Sequence, residues 1–250
     1  MRHAVPAVLA AALVAAGCGG GDDGNATIKV SAASSLKQAF ESYAKSFGAA
    51  RVSFSFAGSD ELAAQIRQGV KPDAYAAANT KLPRGLYDSR LVEQPMRFAS
   101  NELVLAVPSG SSNVKSIRDL AKPGLRIAAG SPTVPIGSYT REVLGRLPGN
   151  QARAIEANIR SDEPDVAGIV GKVAQGAVDA GFVYMTDVRA ANGRLTGIPL
   201  SSRLQPRVTY AAAVVAGAPH AAEARRFVKG LVYAAGVRAL QQAGFGNPGG

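Results

Sequence analysis

Residues Lys29 to Leu36 read K-V-S-A-A-S-S-L, a short apolar strand that runs into two serines at the head of an amphipathic helix. From Leu36 the large apolar residues return at Phe40, Tyr43 and Phe47, the four-and-three spacing of one helical face. A serine at such a junction is expected to cap the helix with its hydroxyl and to leave first-turn N–H groups free beside it, so that the turn can hold an anion. One capped helix is ordinary. The turn acquires a functional meaning only if other helix starts converge on the same point.

Strand-like and helix-like segments alternate along the rest of the chain, which predicts an α/β fold with largely parallel sheets. Strands are expected near residues 28–32, 52–56, 73–78, 102–107, 126–129, 180–184 and 209–215. Helices are expected near 36–47, 61–69, 139–147, 166–175 and 221–240, the last broken at Gly236. Residues 101–108 and 208–215 both read as long apolar strands bracketing a central block. Taken as crossovers, they divide the chain into one lobe of residues 27–100 plus 207–250 and a second of residues 101–206, with a cleft between. Ligands of open α/β sheets bind beyond the carboxyl ends of strands, where helices begin. The serines lie there.

The first residues stand apart. Arg2 and His3 precede an apolar run over 4–16 that is too short to span a bilayer, and small residues lead to Cys18 and a glycine-rich acidic stretch. The pattern predicts a lipoprotein signal peptide over 1–17, lipidation at Cys18 and a tether over 18–26, so that the protein is exported and held at the outer face of the cell membrane or in the periplasm. A lone cysteine cannot form an internal disulfide.

The formal charge is +10, from 28 basic and 18 acidic residues; losing residues 1–17 removes only Arg2 from that balance. The bases are scattered, without a basic run interleaved with aromatics, so the surplus argues for no nucleic-acid partner. Beyond the expected leader the only histidine is His220, which argues against a histidine metal site and leaves a serine hydrolase without a nearby general base. A secreted hydrolase using Ser35 or Ser59 therefore stands as the weaker alternative, and no enzymatic activity is expected.

Four strand-to-helix turns look alike: Ala33-Ser34-Ser35-Leu36, Phe56-Ala57-Gly58-Ser59-Asp60, Val134-Pro135-Ile136-Gly137-Ser138-Tyr139 and Glu163-Pro164-Asp165-Val166. Each offers unpaired first-turn N–H groups and the positive end of a helix dipole. Two fall in each expected lobe, so closing the cleft would surround one small anion.

With these turns go Q-I-R-Q-G-V-K-P-D-A-Y-A-A-A-N at Gln65 to Asn79, N-E-L-V-L-A-V-P at Asn101 to Pro108 and G-F-V-Y-M-T-D at Gly181 to Asp187. In this order and spanning nearly the whole chain after the leader, the pieces resemble the periplasmic molybdate-binding proteins that feed ABC transporters. The resemblance implies a two-lobed type II periplasmic-binding-protein fold, each lobe a mostly parallel sheet flanked by helices. It also implies a monomer that captures molybdate, and tungstate too, and hands it to an ABC permease, with no cofactor and no metal bound directly by side chains. Ser35 and Ser59 would each give a hydroxyl and a backbone N–H, Ile136 and Val166 a backbone N–H, and Tyr184 its phenol; Ser34 stays outside this group. A tetrahedral dianion carries only acceptor oxygens, so a cage of donors suits it. Asp60 departs from the pattern. It is expected to point outward as a first-turn acid, and if it faced the ligand it would favour a protonated oxyanion, leaving sulfate or phosphate as the alternative ligand.

Overall fold

The computed structural model describes residues 26–111 and 113–249. The expected signal peptide over 1–17, Cys18 and all but the last residue of the expected tether lie outside them. The strands are β1 (Thr27–Ala33), β2 (Arg51–Ala57), β3 (Ala74–Ala77), β4 (Met96–Asn101), β5 (Leu103–Pro108), β6 (Ile127–Gly130), β7 (Ile159–Glu163), β8 (Ala180–Tyr184), β9 (Leu195–Pro199) and β10 (Val208–Val214). The helices are α1 (Lys37–Ala44), α2 (Ser59–Arg67), α3 (Lys81–Asp88), α4 (Pro135–Gly145), α5 (Gly149–Glu156), α6 (Val166–Ala174), α7 (Met185–Ala190), α8 (Ala221–Gly230) and α9 (Ala234–Gln242), with 3₁₀ turns at Ser34–Leu36, Ile117–Ala121 and Ser202–Leu204.

The strands form two five-stranded sheets, ordered β2-β1-β3-β10-β4 and β7-β6-β8-β5-β9. In the first, β1 is parallel to β2 and β3, while β10 is antiparallel to β3 and β4. The second repeats the plan, with β6 parallel to β7 and β8 and β5 antiparallel to β8 and β9. The sheets are therefore mixed: all strands of a sheet share one direction except a single reversed one. That reversed strand is the one arriving from the other sheet. β5 follows β4 across the single residue Glu102, and β10 follows the return from β9. The two segments bracketing the central block thus lie mostly in different sheets, and they pair in the strand ladder at Asn101, the end of β4, and Val208, the start of β10.

Central strands are buried along their whole length, as β3, β6, β8 and β10 are, because helices cover both faces. On one face of the first sheet α1 lays Phe40 and Tyr43 against Phe227 of α8, with ring centroids 5.5 and 4.9 Å apart. On the other face Leu62 and Ile66 of α2 and Leu86 of α3 pack with Tyr75 and Val92. The last helix pair differs from expectation. The chain breaks over residues 231–233, and Gly236 lies inside α9, where a Cβ would sit 2.2 Å from the Gly230 carbonyl oxygen. Its role is close packing of one helix on the other, not interruption.

Candidate functional site

A small cavity of about 20 Å³ lies where the two sheets face each other, lined by Ser34, Ser35, Gly58, Ser59, Ala78, Val134, Ile136, Asp165, Val166 and Tyr184 among others. These residues sit at the carboxyl ends of β1, β2, β3, β6, β7 and β8 and at the helix starts that follow. Ser35, Ser59, Ile136, Val166 and Tyr184 are thus brought together on one cavity from five separate stretches of chain. Larger grooves exist, including one of about 770 Å³ beside Lys115, Arg118, Arg146 and Arg203. It is lined by solvated cations at the surface, whereas the small cavity is lined by strand ends and helix starts of both sheets.

The serines do not cap as expected. Ser34–Leu36 forms a 3₁₀ turn whose N-cap is Ala33, with no side-chain cap, and Ser35 Oγ instead lies 2.9 Å from the Tyr210 hydroxyl. Ser59 is the first residue of α2, after Gly58 as an uncapped N-cap. Its Oγ accepts a hydrogen bond from Ala78 N–H at 3.1 Å and its carbonyl accepts one from the Tyr75 hydroxyl at 2.6 Å. With the Ser59 oxygen already accepting, its own proton remains for donation into the cavity.

In the second sheet, Val134 precedes α4 without a side-chain cap, and Pro135 at the first position has no N–H to satisfy. Ile136 therefore offers the first backbone donor of that helix. Gly137 lets the helix start press on β6: a Cβ there would lie 1.9 Å from the Ser131 carbonyl oxygen. At α6 the N-cap is Asp165, whose Oδ1 accepts from Gly168 N–H at 3.0 Å, leaving the N–H groups of Val166 and Ala167 without a side-chain cap. Asp165 lines the cavity, a carboxylate that a cage made of donors alone did not lead one to expect. The carboxylate is engaged by the helix it caps.

Tyr184 is 1% exposed, and its hydroxyl has no hydrogen-bond partner among the described residues. Burial pushes its pKa well above the usual phenol value, and the neighbouring Tyr210, Tyr139 and Asp187 push it the same way, so it keeps its proton and remains a donor. Its backbone N–H donates to Asp187 Oδ2 at 2.9 Å. Asp187 is itself pushed up to about 7, first by burial, with the Tyr184 N–H acting against it and Asp165 adding to it.

Asp60 does not line the cavity, and it does not point fully outward either. Its Oδ1 is buried without a hydrogen-bond partner, 3.0 Å from where a Cβ on Gly58 would stand. Contacts cross between the sheets at this level: the Tyr139 hydroxyl donates to the Ala78 carbonyl at 3.3 Å, and a Cβ on Gly58 would lie 2.4 Å from the Pro164 carbonyl oxygen. No group of histidine, cysteine or acidic side chains able to hold a metal ion occurs among the described residues, and none of their helices is long and apolar enough to cross a membrane. A converging array of N–H and O–H donors, one of them an orphaned phenol, can bind a small anion.

The bacterial extracellular solute-binding protein family matches residues 28–246 of the chain. The molybdate-binding protein ModA of Mycobacterium bovis is 35% identical over 257 residues, covering 98% of this chain and 96% of its own. A putative ABC transporter substrate-binding lipoprotein of Bacillus subtilis, YvgL, is 29% identical over 252 residues, covering 96% of this chain and 95% of its own. Among solved structures, the periplasmic molybdate-binding protein of Azotobacter vinelandii has a TM-score of 0.79 at 23% identity, over 88% of this chain and 99% of that one, which is a likeness of fold.

Proposed function

The chain belongs to the bacterial extracellular solute-binding protein family, and we propose on that premise that it captures molybdate, and tungstate as well, between two lobes and delivers it to an ABC permease. It is a binding protein, not an enzyme. The first lobe is residues 27–100 with 207–250 and the second is 101–206, each carrying one of the two sheets. The ligand is held by the hydroxyls and N–H groups of Ser35 and Ser59, the N–H groups of Ile136 and Val166, and the phenol of Tyr184.

The observation that carries this reading is the orphaned Tyr184 hydroxyl. A buried polar group without a partner costs about 1–3 kcal/mol, and here it lines the same cavity as two serines and two helix starts whose leading N–H groups have no side-chain cap. An oxyanion satisfies all of them at once. The sheet-to-sheet contacts support a cleft that closes over its ligand. Lipidation at Cys18 and attachment to the outer face of the membrane are supported by the sequence around Cys18 and by the lipoprotein named among the relatives.

Calorimetric titration with molybdate, tungstate, sulfate and phosphate tests the reading. Saturable binding of the first two at micromolar concentration, with sulfate and phosphate much weaker, is the expected result. Absence of molybdate and tungstate binding refutes it.

A further inference from the structure

We propose that Asn101 and Tyr210, neither of which touches the cavity, orient the Ser35 hydroxyl so that it donates to the ligand. This rests on the oxyanion reading of the cavity and names the device that gives one wall its donor polarity. The Tyr210 hydroxyl is fully buried and has two side-chain neighbours, Ser35 Oγ at 2.9 Å and Asn101 Nδ2 at 3.4 Å. The orientation of the Asn101 amide is fixed from its other side, because Glu102 N–H donates to its Oδ1 at 2.9 Å. Nδ2 therefore points at Tyr210, and it can only donate. It also donates to Thr186 Oγ1 at 2.8 Å.

The direction of the next bond follows. Tyr210 keeps its proton, since burial raises its pKa well above that of a free phenol. Its oxygen accepts from Asn101, so its proton has one remaining acceptor, Ser35 Oγ. Ser35, accepting from Tyr210, then has its own proton free on the cavity side. Without this ordering, Ser35 could donate backwards to Tyr210 and present a lone pair to the ligand. A lone pair repels an oxyanion.

The relay also ties the site to the crossover. Asn101 is the last residue of β4 and is followed by Glu102, the single residue between the sheets, while Thr186 belongs to α7 on the second sheet. The polarity of the Ser35 donor is thereby set at the point where the chain passes between the sheets.

Two double-mutant cycles read by molybdate titration test this. In the first, Tyr210→Phe alone is expected to weaken binding two- to fivefold, and to change nothing further in the Ser35→Ala background, because it acts only through Ser35. In the second, Asn101→Asp turns the donor into an acceptor: Tyr210 donates to the carboxylate and Ser35 to Tyr210, so the relay reverses. The loss caused by Asn101→Asp is expected to be at least fivefold greater in the wild-type background than in the Tyr210→Phe background. The added charge acts in both, so it cancels from the comparison. Additive effects in both cycles overturn the inference, and if Asn101→Asp does not fold, the Tyr210–Ser35 cycle decides alone. Failure of the wild-type protein to bind molybdate would instead reject the ligand, an outcome separate from either cycle.

Discussion

Replacing Gly58 by alanine puts a methyl group 2.4 Å from the carbonyl oxygen of Pro164 on the opposite side of the cavity. The backbone itself accepts the change, since Gly58 has φ −59° and ψ 136°, a conformation open to any residue. The strain therefore falls on the approach of the two sheets. Separation must grow by 0.6 Å to reach 3.0 Å, and by 1.0 Å to reach ordinary contact at 3.4 Å. Pro164 lies two residues before Val166, so the displacement is applied at the start of α6. A ligand hydrogen bond of about 2.9 Å stretched by that amount is no longer a hydrogen bond. Loss of the Val166 and Ile136 donors, each worth about 1.5–3 kcal/mol toward a charged acceptor, amounts to roughly 3–6 kcal/mol, or about 150-fold to 20,000-fold in Kd. The assay is molybdate titration of Gly58→Ala beside a thermal melt of the ligand-free protein. Weakening of about 100-fold or more with an unchanged melt is expected. A Kd within threefold of wild type refutes the reasoning, because it means the sheets need not come this close to hold the ligand.

Three further substitutions separate the donors from one another. Ser35→Ala and Ser59→Ala should each weaken binding by about 1–3 kcal/mol in the same titration, and Ser59→Ala should also lower the melting temperature because Ala78 N–H loses its acceptor. Tyr184→Phe should weaken binding yet raise the melting temperature of the ligand-free protein, since it removes a buried hydroxyl that has no partner there. Asp187→Asn tests the buried carboxyl. With its folded-state pKa pushed up to about 7 from the ordinary 3.8, the folded chain holds this proton more tightly than the unfolded chain does. The stability so contributed is complete below about pH 4 and is lost as pH rises toward 7, so melts from pH 4 to 8 should show a decline that Asp187→Asn flattens.

Much of this arrangement is written in the sequence, and what is not has physical reasons. The buried central strands were legible because they are continuous apolar runs. The strands absent from the sequence reading, β4, β7 and β9, are all sheet edges, and their half-exposed sequences M-R-F-A-S-N, I-R-S-D-E and L-T-G-I-P carry no such run. Helix α3 was hidden by Pro83 and Gly85 within it, and α7 by its length of six residues. Val70, spaced to continue the face of Leu62 and Ile66, is 51% exposed because the chain leaves the helix at Gly69 with φ +98°. The five proposed ligand residues come from the resemblance, and the motifs that carry it lie in strand-to-helix turns or at a strand end. Their cavity neighbours Gly58 and Asp165 lay within those same turns. Tyr210 was out of reach: it lies inside an all-buried strand, where only the fold reveals that its hydroxyl reaches back to Ser35.

The central claim is that donors from five residues on both sheets surround one oxyanion. A crystal grown with molybdate and measured at an energy where molybdenum scatters anomalously tests it most directly. The account predicts a single strong peak within hydrogen-bonding reach, through its oxygens, of Ser35 Oγ, Ser59 Oγ, the N–H groups of Ile136 and Val166, and the Tyr184 hydroxyl. A peak elsewhere, for instance among Lys115, Arg118 and Arg203, with this cavity empty, would contradict it.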